Sequence, residues 1–378
     1  MRNRLYDAVA RMLCEVGARP DDRIVVAVSG GADSVCLLHL LKQIARRRGF
    51  LLHVAHLDHQ FRPEAIEEAH FVEKLAQDWQ LPVTIATRPV LEEAKKLHLG
   101  KQAGARAVRY VFLMETAQKV NARWIATGHT CDDQAETYLM RLLRGAGVRG
   151  QSAIPRVRDG MIIRPLLGIL HRDIVAELKR SGISWVEDPS NRMPSCLRNR
   201  IRHELIPLLE RYNPAIKKGL CRQARCARDE DDWIGEVLRA HIPDVVSVNR
   251  EEVVVNVRRM QALHPALQRH LLQWSLRQLS DIELSFERTE ALMSALRGPR
   301  GKVYGLSRGF CAQRYGTVLR MGRSTPSTDQ AEAKTPNGAS SERASAPLRT
   351  NLGGACITST TVEATADPGP PSISLSGG

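Results

Sequence analysis

The densest chemistry in the chain lies in one short stretch, Ser29-Gly30-Gly31-Ala32-Asp33-Ser34. It follows an apolar run, Ile24 to Val28, and precedes a helical pattern, so it forms a strand–turn–helix corner. Glycines let the backbone approach a phosphate closely, and the N–H groups of the turn and of the first helical turn point at it. Ser29 and Ser34 add hydroxyl donors. Asp33 would repel a bare anion; its presence makes sense where it holds Mg²⁺ against phosphate oxygens. At this strand–turn–helix corner neither Gly-x-x-x-x-Gly-Lys nor Gly-x-Gly-x-x-Gly is present, so the loop is neither the γ-phosphate-transfer loop nor the dinucleotide fingerprint.

A second group of acids, Asp132, Asp133 and Glu136, opens a helix just after Gly128-His129 and the strand before them. Ligands bind at this carboxyl end of the strands in open α/β sheets. Spacings of three and four put Glu136 on one helix face with the two aspartates. Ordinary first-turn acids favouring the helix dipole explain one or two carboxylates, less readily a triplet. So much negative charge suits Mg²⁺, with Asp33 and Asp132 as its ligands, and an amine such as lysine. His56 and Asp58 sit at the neighbouring strand end, and Arg106 and Arg109, one helical turn apart, have the guanidinium fork that binds phosphate.

The elements that must position these groups alternate along residues 1–200. The spacing predicts an opening helix on Leu5, Val9, Leu13 and Val16, strands at 24–28, 51–57, 82–86 and 123–127, and helices at 33–48, 63–79, 102–120 and 132–144. This βαβα rhythm predicts an α/β fold, a parallel sheet with helices on both faces. Residues 145–159 read as a basic loop, 161–164 as a short strand and 171–180 as a helix. From Leu197 the pattern turns helical to about Arg239; a strand at 252–257, helices at about 265–279 and 285–296, and short strands at 302–306, 309–314 and 317–321 then read as a smaller α+β domain. The expected division is 1–215, 216–323 and a tail, 324–378, whose Ser, Thr, Ala, Gly and Pro composition predicts disorder.

A net charge of +14, from 55 Lys and Arg against 41 Asp and Glu, points to a polyanionic partner, nucleic acid before an anionic membrane surface. No run of apolar residues is long enough to span a bilayer, and the N-terminal segment lacks the apolar core of a secretory signal, so the expected location is cytoplasmic. None of the eight cysteines forms a Cys-x-x-Cys pair, which leaves no local zinc or iron–sulfur set.

Ser29-Gly30-Gly31-Ala32-Asp33-Ser34 resembles the signature of the PP-loop ATP pyrophosphatase superfamily, Ser-Gly-Gly-x-Asp-Ser after the first strand. Three further blocks narrow the likeness: His56-Leu57-Asp58-His59, Gly128 to Thr137 with Arg141-Leu142-Leu143-Arg144-Gly145 after it, and Trp185 to Asn191 with Arg198-Asn199-Arg200-Ile201-Arg202 after it. With Arg106-x-x-Arg109-Tyr110 and Arg164-Pro165-Leu166-Leu167, they are similar to the tRNA(Ile)-lysidine synthetase family over about residues 20–210. The likeness departs at Thr130, where some members have a second histidine, and at Cys196, a position often aromatic.

The resemblance implies ATP cleaved to AMP and pyrophosphate with Mg²⁺, adenylation of a carbonyl-type oxygen on the wobble cytidine of isoleucine tRNA with anticodon CAU, and displacement of AMP by free L-lysine. It implies catalytic roles for Asp33, Asp132, Asp133, Glu136 and Arg109. Ser29, Gly30, Gly31, Ala32, Asp33, Ser34, His56, Gly128 and His129 would bind the nucleotide, and Arg106, Arg144, Arg198, Arg200 and Arg202 the tRNA. Asp188-Pro189-Ser190-Asn191 would belong to a recognition loop. The oligomeric state stays open, a homodimer included. Rival readings are a tRNA thiolation enzyme with the same loop, which would need paired cysteines, a small-molecule amidotransferase, and a nucleotide-binding RNA regulator without catalysis.

Overall fold

The computed structural model describes residues 3–58, 65–89, 92, 100–187, 197–279, 284–306 and 309–323. They lie in one compact unit, Met1–Arg323. The expected tail, His59 to Glu64 and Asp188 to Cys196 fall outside the described residues.

The larger sheet has the order β3-β2-β1-β4-β6-β5, with β1 (Arg23–Ala27), β2 (Leu51–Asp58), β3 (Val83–Thr87), β4 (Trp124–Ala126), β5 (Val157–Arg158) and β6 (Ile162–Ile163). All its pairings are parallel except β5 with β6. The continuous apolar runs follow from burial on both faces. Ile24, Val26, Leu52, Val54, Trp124 and Ala126 feed a core shared with helices Arg4–Glu15, Ala32–Arg48, Ala65–Asp78 and His171–Arg180. Their neighbours Val25, Ala55, Leu57 and Ile125 feed the opposite core, covered by helix Lys101–Lys119. Each fully buried valine or isoleucine contributes roughly 1.5–3 kcal/mol, so a register slip here would be costly.

Chain order reverses beside β1: β2 lies on one side of it and β4 on the other. The crevice between the ends of β1 and β4 is therefore the switch point where open α/β sheets receive ligands. Residues 145–159, read as a loop, contain a helical turn, Val148–Gln151, and the short β5, which pairs with β6 across Asp159-Gly160. Both turn residues have positive φ, 52° and 67°, the conformation of a tight hairpin turn.

The second sheet, entirely antiparallel, runs β7-β8-β11-β10-β9: β7 (Val246–Val248), β8 (Glu252–Asn256), β9 (Val303–Gly305), β10 (Phe310–Tyr315) and β11 (Val318–Arg323). Val253, Val255, Leu319 and Met321 alternate inward and pack with helices Pro265–Leu279 and Phe286–Arg297. The long helix Ile216–Val245 packs against helices Cys131–Leu142 and Val148–Gln151 of the first sheet's half and against Pro265–Leu279 of the second. Among the described residues no helix is long and apolar enough to cross a membrane.

Candidate active site

The Ser29–Ser34 loop leaves β1 and turns directly into helix Ala32–Arg48. Gly30 sits at φ +90°, which a side chain would strain. Ser34 organises the loop: its Oγ accepts from the Ser29 N–H at 3.1 Å and donates to the Gly31 carbonyl at 2.9 Å. No side chain caps the helix at Gly31, so its N-terminal field stays available to an anion. The Val186 N–H donates to the Gly30 carbonyl at 3.0 Å, which brings the Trp185-Val186-Glu187 block onto the loop.

Gly128, past the end of β4, meets this loop backbone to backbone. A Cβ there would lie 3.1 Å from the Ser34 nitrogen and 3.2 Å from the Asp33 carbonyl carbon. Gly128→Val should therefore push the two loops apart and lower turnover at least tenfold, while far-UV circular dichroism stays that of the folded chain. Unchanged turnover would show that the loop spacing has slack.

Asp33 and Asp132 converge on one residue that the sequence reading missed. The Asp33 Oδ1 lies 2.8 Å from His171 Nδ1, and the His171 N–H donates to Asp132 Oδ2 at 2.7 Å. Asp132 thus caps helix His171–Arg180, whose own preceding residue is Leu170, and its other oxygen lies 3.0 Å from Lys217 Nζ. Burial, together with the charges of Asp133 and Asp132, raises the Asp33 pKa despite the bond from His171. The His171 pKa is raised in turn, chiefly by that bond. A half-buried carboxylate among acids calls for a cation, which fits Mg²⁺ held by one or two carboxylates and by substrate phosphates. Among the described residues no three His, Cys, Asp or Glu side chains form a cage that would hold a metal alone.

Glu136 is only 1% exposed and is clamped by two arginines. Arg198 Nε donates to Oε2 at 2.8 Å, Arg202 Nε to Oε1 at 2.5 Å and Arg202 Nη2 to Oε2 at 3.1 Å. Asp133 forms a capping box with Thr130, accepting from the Thr130 N–H at 2.9 Å, and lies 3.4 Å from Arg198 Nη2. This gives Thr130 a structural task, the cap of helix Cys131–Leu142. Burial opposes ionisation of Asp133, but Arg198, His129, the Thr130 N–H and Arg202 outweigh it and hold its pKa low. Arg198 and Arg202, expected on RNA, thus face carboxylates; Arg200 and Arg144 are exposed, Arg200 beside Glu204 at 3.5 Å.

The third wall is basic and neutral by turns. His56 Nδ1 lies 2.8 Å from the Val28 carbonyl, which only accepts, so Nδ1 carries the proton and Nε2 is left as an acceptor. Burial lowers the pKa of His56 and of His129, whose Nδ1 is 3.0 Å from Thr127 Oγ1. Arg106, Arg109 and Arg158 stack around Tyr110, and the buried Arg164 donates to its hydroxyl at 3.2 Å. These walls enclose a cleft of about 700 Å³ lined by Ser29, Gly31, Ala32, Asp33, Ser34, His56, Arg106, Arg109, Gly128, His129, Asp133 and Arg198, and also by His171, Lys179 and Trp185. Asp132 and Glu136 stand behind it rather than in it.

A histidine held below its usual value of about 6.5 contributes stability that is complete above that value and lost as pH falls. Burial lowers His39, His53, His56, His129 and His270 in this way. His171, raised, has the opposite sign: its contribution is present at low pH and fades as pH rises through its folded value. Five groups outweigh one, so the melting temperature should fall between about pH 7.5 and about pH 5.5. His129→Gln should flatten that limb; an unchanged slope would show that His129 is not held neutral.

Comparison with known proteins agrees with this geometry. Residues 3–209 match the PP-loop domain family. A tRNA(Ile)-lysidine synthase of Geobacter sulfurreducens is 43% identical over 230 residues, 59% of this chain and 49% of that protein. One from Aromatoleum aromaticum is 34% identical over 296 residues, 78% of this chain and 67% of that protein. The chain spans about half the length of several of these curated relatives. The solved structure of the U34-tRNA thiolase NcsA from Methanococcus maripaludis shares the fold, with a TM-score of 0.51 and 16% identity over 59% of this chain and 78% of that one. With the loop, the switch-point cleft and the family match all on residues 3–209, the chain belongs to the PP-loop family, on its tRNA(Ile)-lysidine synthase branch.

Proposed function

We propose that this chain uses ATP and Mg²⁺ to join free L-lysine to carbon 2 of the wobble cytidine of isoleucine tRNA with anticodon CAU. In this reading residues 1–215 carry the chemistry and 216–323 help grip the RNA. The observation that carries it is the pairing, in one cleft, of an uncapped Ser29–Ser34 loop with Asp33 on one side and a guanidinium wall on the other. The loop and helix N-terminus hold the triphosphate, and Arg109, which lines the cleft and stacks on Tyr110, faces the developing negative charge. Mg²⁺ on Asp33 would neutralise phosphate charge.

The cytidine O2 attacks the α-phosphorus and pyrophosphate leaves. The lysine ε-nitrogen, having released one proton to solvent to become a neutral amine, then attacks carbon 2, AMP leaves with the oxygen, and the nitrogen gives a second proton to solvent. AMP is the better leaving group, which is the reason to spend ATP first. Asp133 is the member of the acid trio that lines the cleft. Its low pKa keeps it charged, so it attracts the lysine ammonium rather than taking its proton. Glu136 acts behind it by holding Arg198 in place.

The test is incubation with ATP, labelled lysine and isoleucine tRNA bearing CAU, with products separated by thin-layer chromatography. Label in RNA together with AMP and pyrophosphate is the expected result. ADP and phosphate as main products, or AMP without label in RNA, would overturn the reading.

A further inference from the structure

The arginines that RNA docking was expected to use are partly committed elsewhere, since Arg198 and Arg202 clamp Glu136. The search for free positive charge leads to the first turns of helix Ile216–Val245. Its residues 216–228, Ile-Lys-Lys-Gly-Leu-Cys-Arg-Gln-Ala-Arg-Cys-Ala-Arg, hold five cations and no acid. Two of the five face the protein: Lys217 bonds Asp132 and Glu210, and Arg228 donates to the Ser152 and Ile154 carbonyls at 2.9 and 2.8 Å. Ala224 and Ala227 are buried on the same inner side. Lys218, Arg222 and Arg225 are exposed, and among the described residues none has a carboxylate partner. Spacings of four and three align them as one stripe.

We infer that Lys218, Arg222 and Arg225 form a docking stripe for the phosphate backbone of the tRNA. The inference rests on the proposed tRNA reaction. Three uncompensated cations in line are costly to keep unless a polyanion meets them, and the stripe stops where Asp229, Glu230, Asp231 and Asp232 begin. Its position suits the reaction: Lys218 follows Lys217, which lies 3.0 Å from Asp132 behind the cleft. Just before the helix, Tyr212 is 83% exposed, a ring free to stack on a base. The stripe thus lies on the outer side of the helix whose inner side, through Lys217, bonds Asp132.

The experiment measures binding of an isoleucine tRNA transcript bearing CAU, across a salt series, to the full chain and to its triple variant Lys218→Ala, Arg222→Ala, Arg225→Ala. Each phosphate contact contributes about 0.7 to the slope of log affinity against log salt, so three lost contacts should make it shallower by about 2. Over a fourfold rise in salt that is about a fifteenfold smaller loss of affinity. The thermal shift produced by ATP should stay unchanged, which shows that the cleft is intact. An unaltered slope in the variant would overturn the stripe while leaving the tRNA reaction standing. A parent chain that responds to ATP but binds no transcript would overturn the reaction reading and the stripe with it.

Discussion

Asp33→Asn should lose about 10³-fold in ATP cleavage while the protein stays folded, a loss of the size expected when a preorganised charged group is removed from a site. Three features set this expectation. Asp33 stands in the first turn of helix Ala32–Arg48, whose N-terminus no side chain caps, and lines the cleft. Its charge is confronted by Asp133 and Asp132, and only His171 offers it a cation within hydrogen-bond reach among the described residues. Asparagine keeps the size and a hydrogen bond to His171 but cannot neutralise Mg²⁺. The folding cost is small, about 0.3–1 kcal/mol from the lost helix-dipole interaction. Turnover with and without excess Mg²⁺, and the ATP-induced thermal shift at each, are the measurements. If Asp33→Asn keeps more than a tenth of parental turnover, Asp33 is a structural partner of His171 and the metal sits elsewhere. His171→Gln is the informative contrast: it should lower turnover far less, because it frees the carboxylate rather than removing it.

What could be read from the chain and what could not divide along a physical line. The Ser29–Ser34 loop was legible because its chemistry is local: strand, turn and helix lie next to one another, and glycine and aspartate have few other reasons to stand there. The buried strands were legible too, since Ile24, Val25 and Val26 must be apolar to feed two cores at once. His171 was not, because its partner Asp33 is 138 positions away and a single histidine at a helix start carries no pattern. The only local signal was its place four residues after Arg164-Pro165-Leu166-Leu167. The arginines show a different limit. Net charge reports the sign of a partner but not which cation meets it, so Arg198 and Arg202 were assigned to RNA from composition and likeness, whereas packing sets them on Glu136 from 62 and 66 positions away. The strands β5 and β7, two and three residues long, are too short to show a period of two. His59 and Asp188 to Asn191, singled out for their chemistry, lie outside the described residues.

Glu136→Gln tests that reassignment. In the parent chain one carboxylate, 1% exposed, accepts from two guanidinium groups that are 36% and 33% exposed. An amide has one acceptor oxygen; its NH₂ would face an arginine donor, so one guanidinium loses its partner and meets a second donor. Breaking a buried pair costs about 3–5 kcal/mol, and the partial exposure of the arginines brings this to about 2–3 kcal/mol. For a folded unit of this size that is a drop of roughly 3–5 °C in melting temperature. Arg198 also lines the cleft and neighbours Asp133, so its release should disturb both steps of the reaction. Adenylation of tRNA and incorporation of lysine, measured separately on the same variant, should fall together by at least tenfold. Asp133→Asn should behave differently, raising the lysine KM more than the ATP KM. The opposite outcome for Glu136→Gln is equally clear: a parental melting temperature, with adenylated tRNA accumulating and lysine transfer lost, would make Glu136 the amine site and the arginine clamp a resting arrangement that substrate displaces.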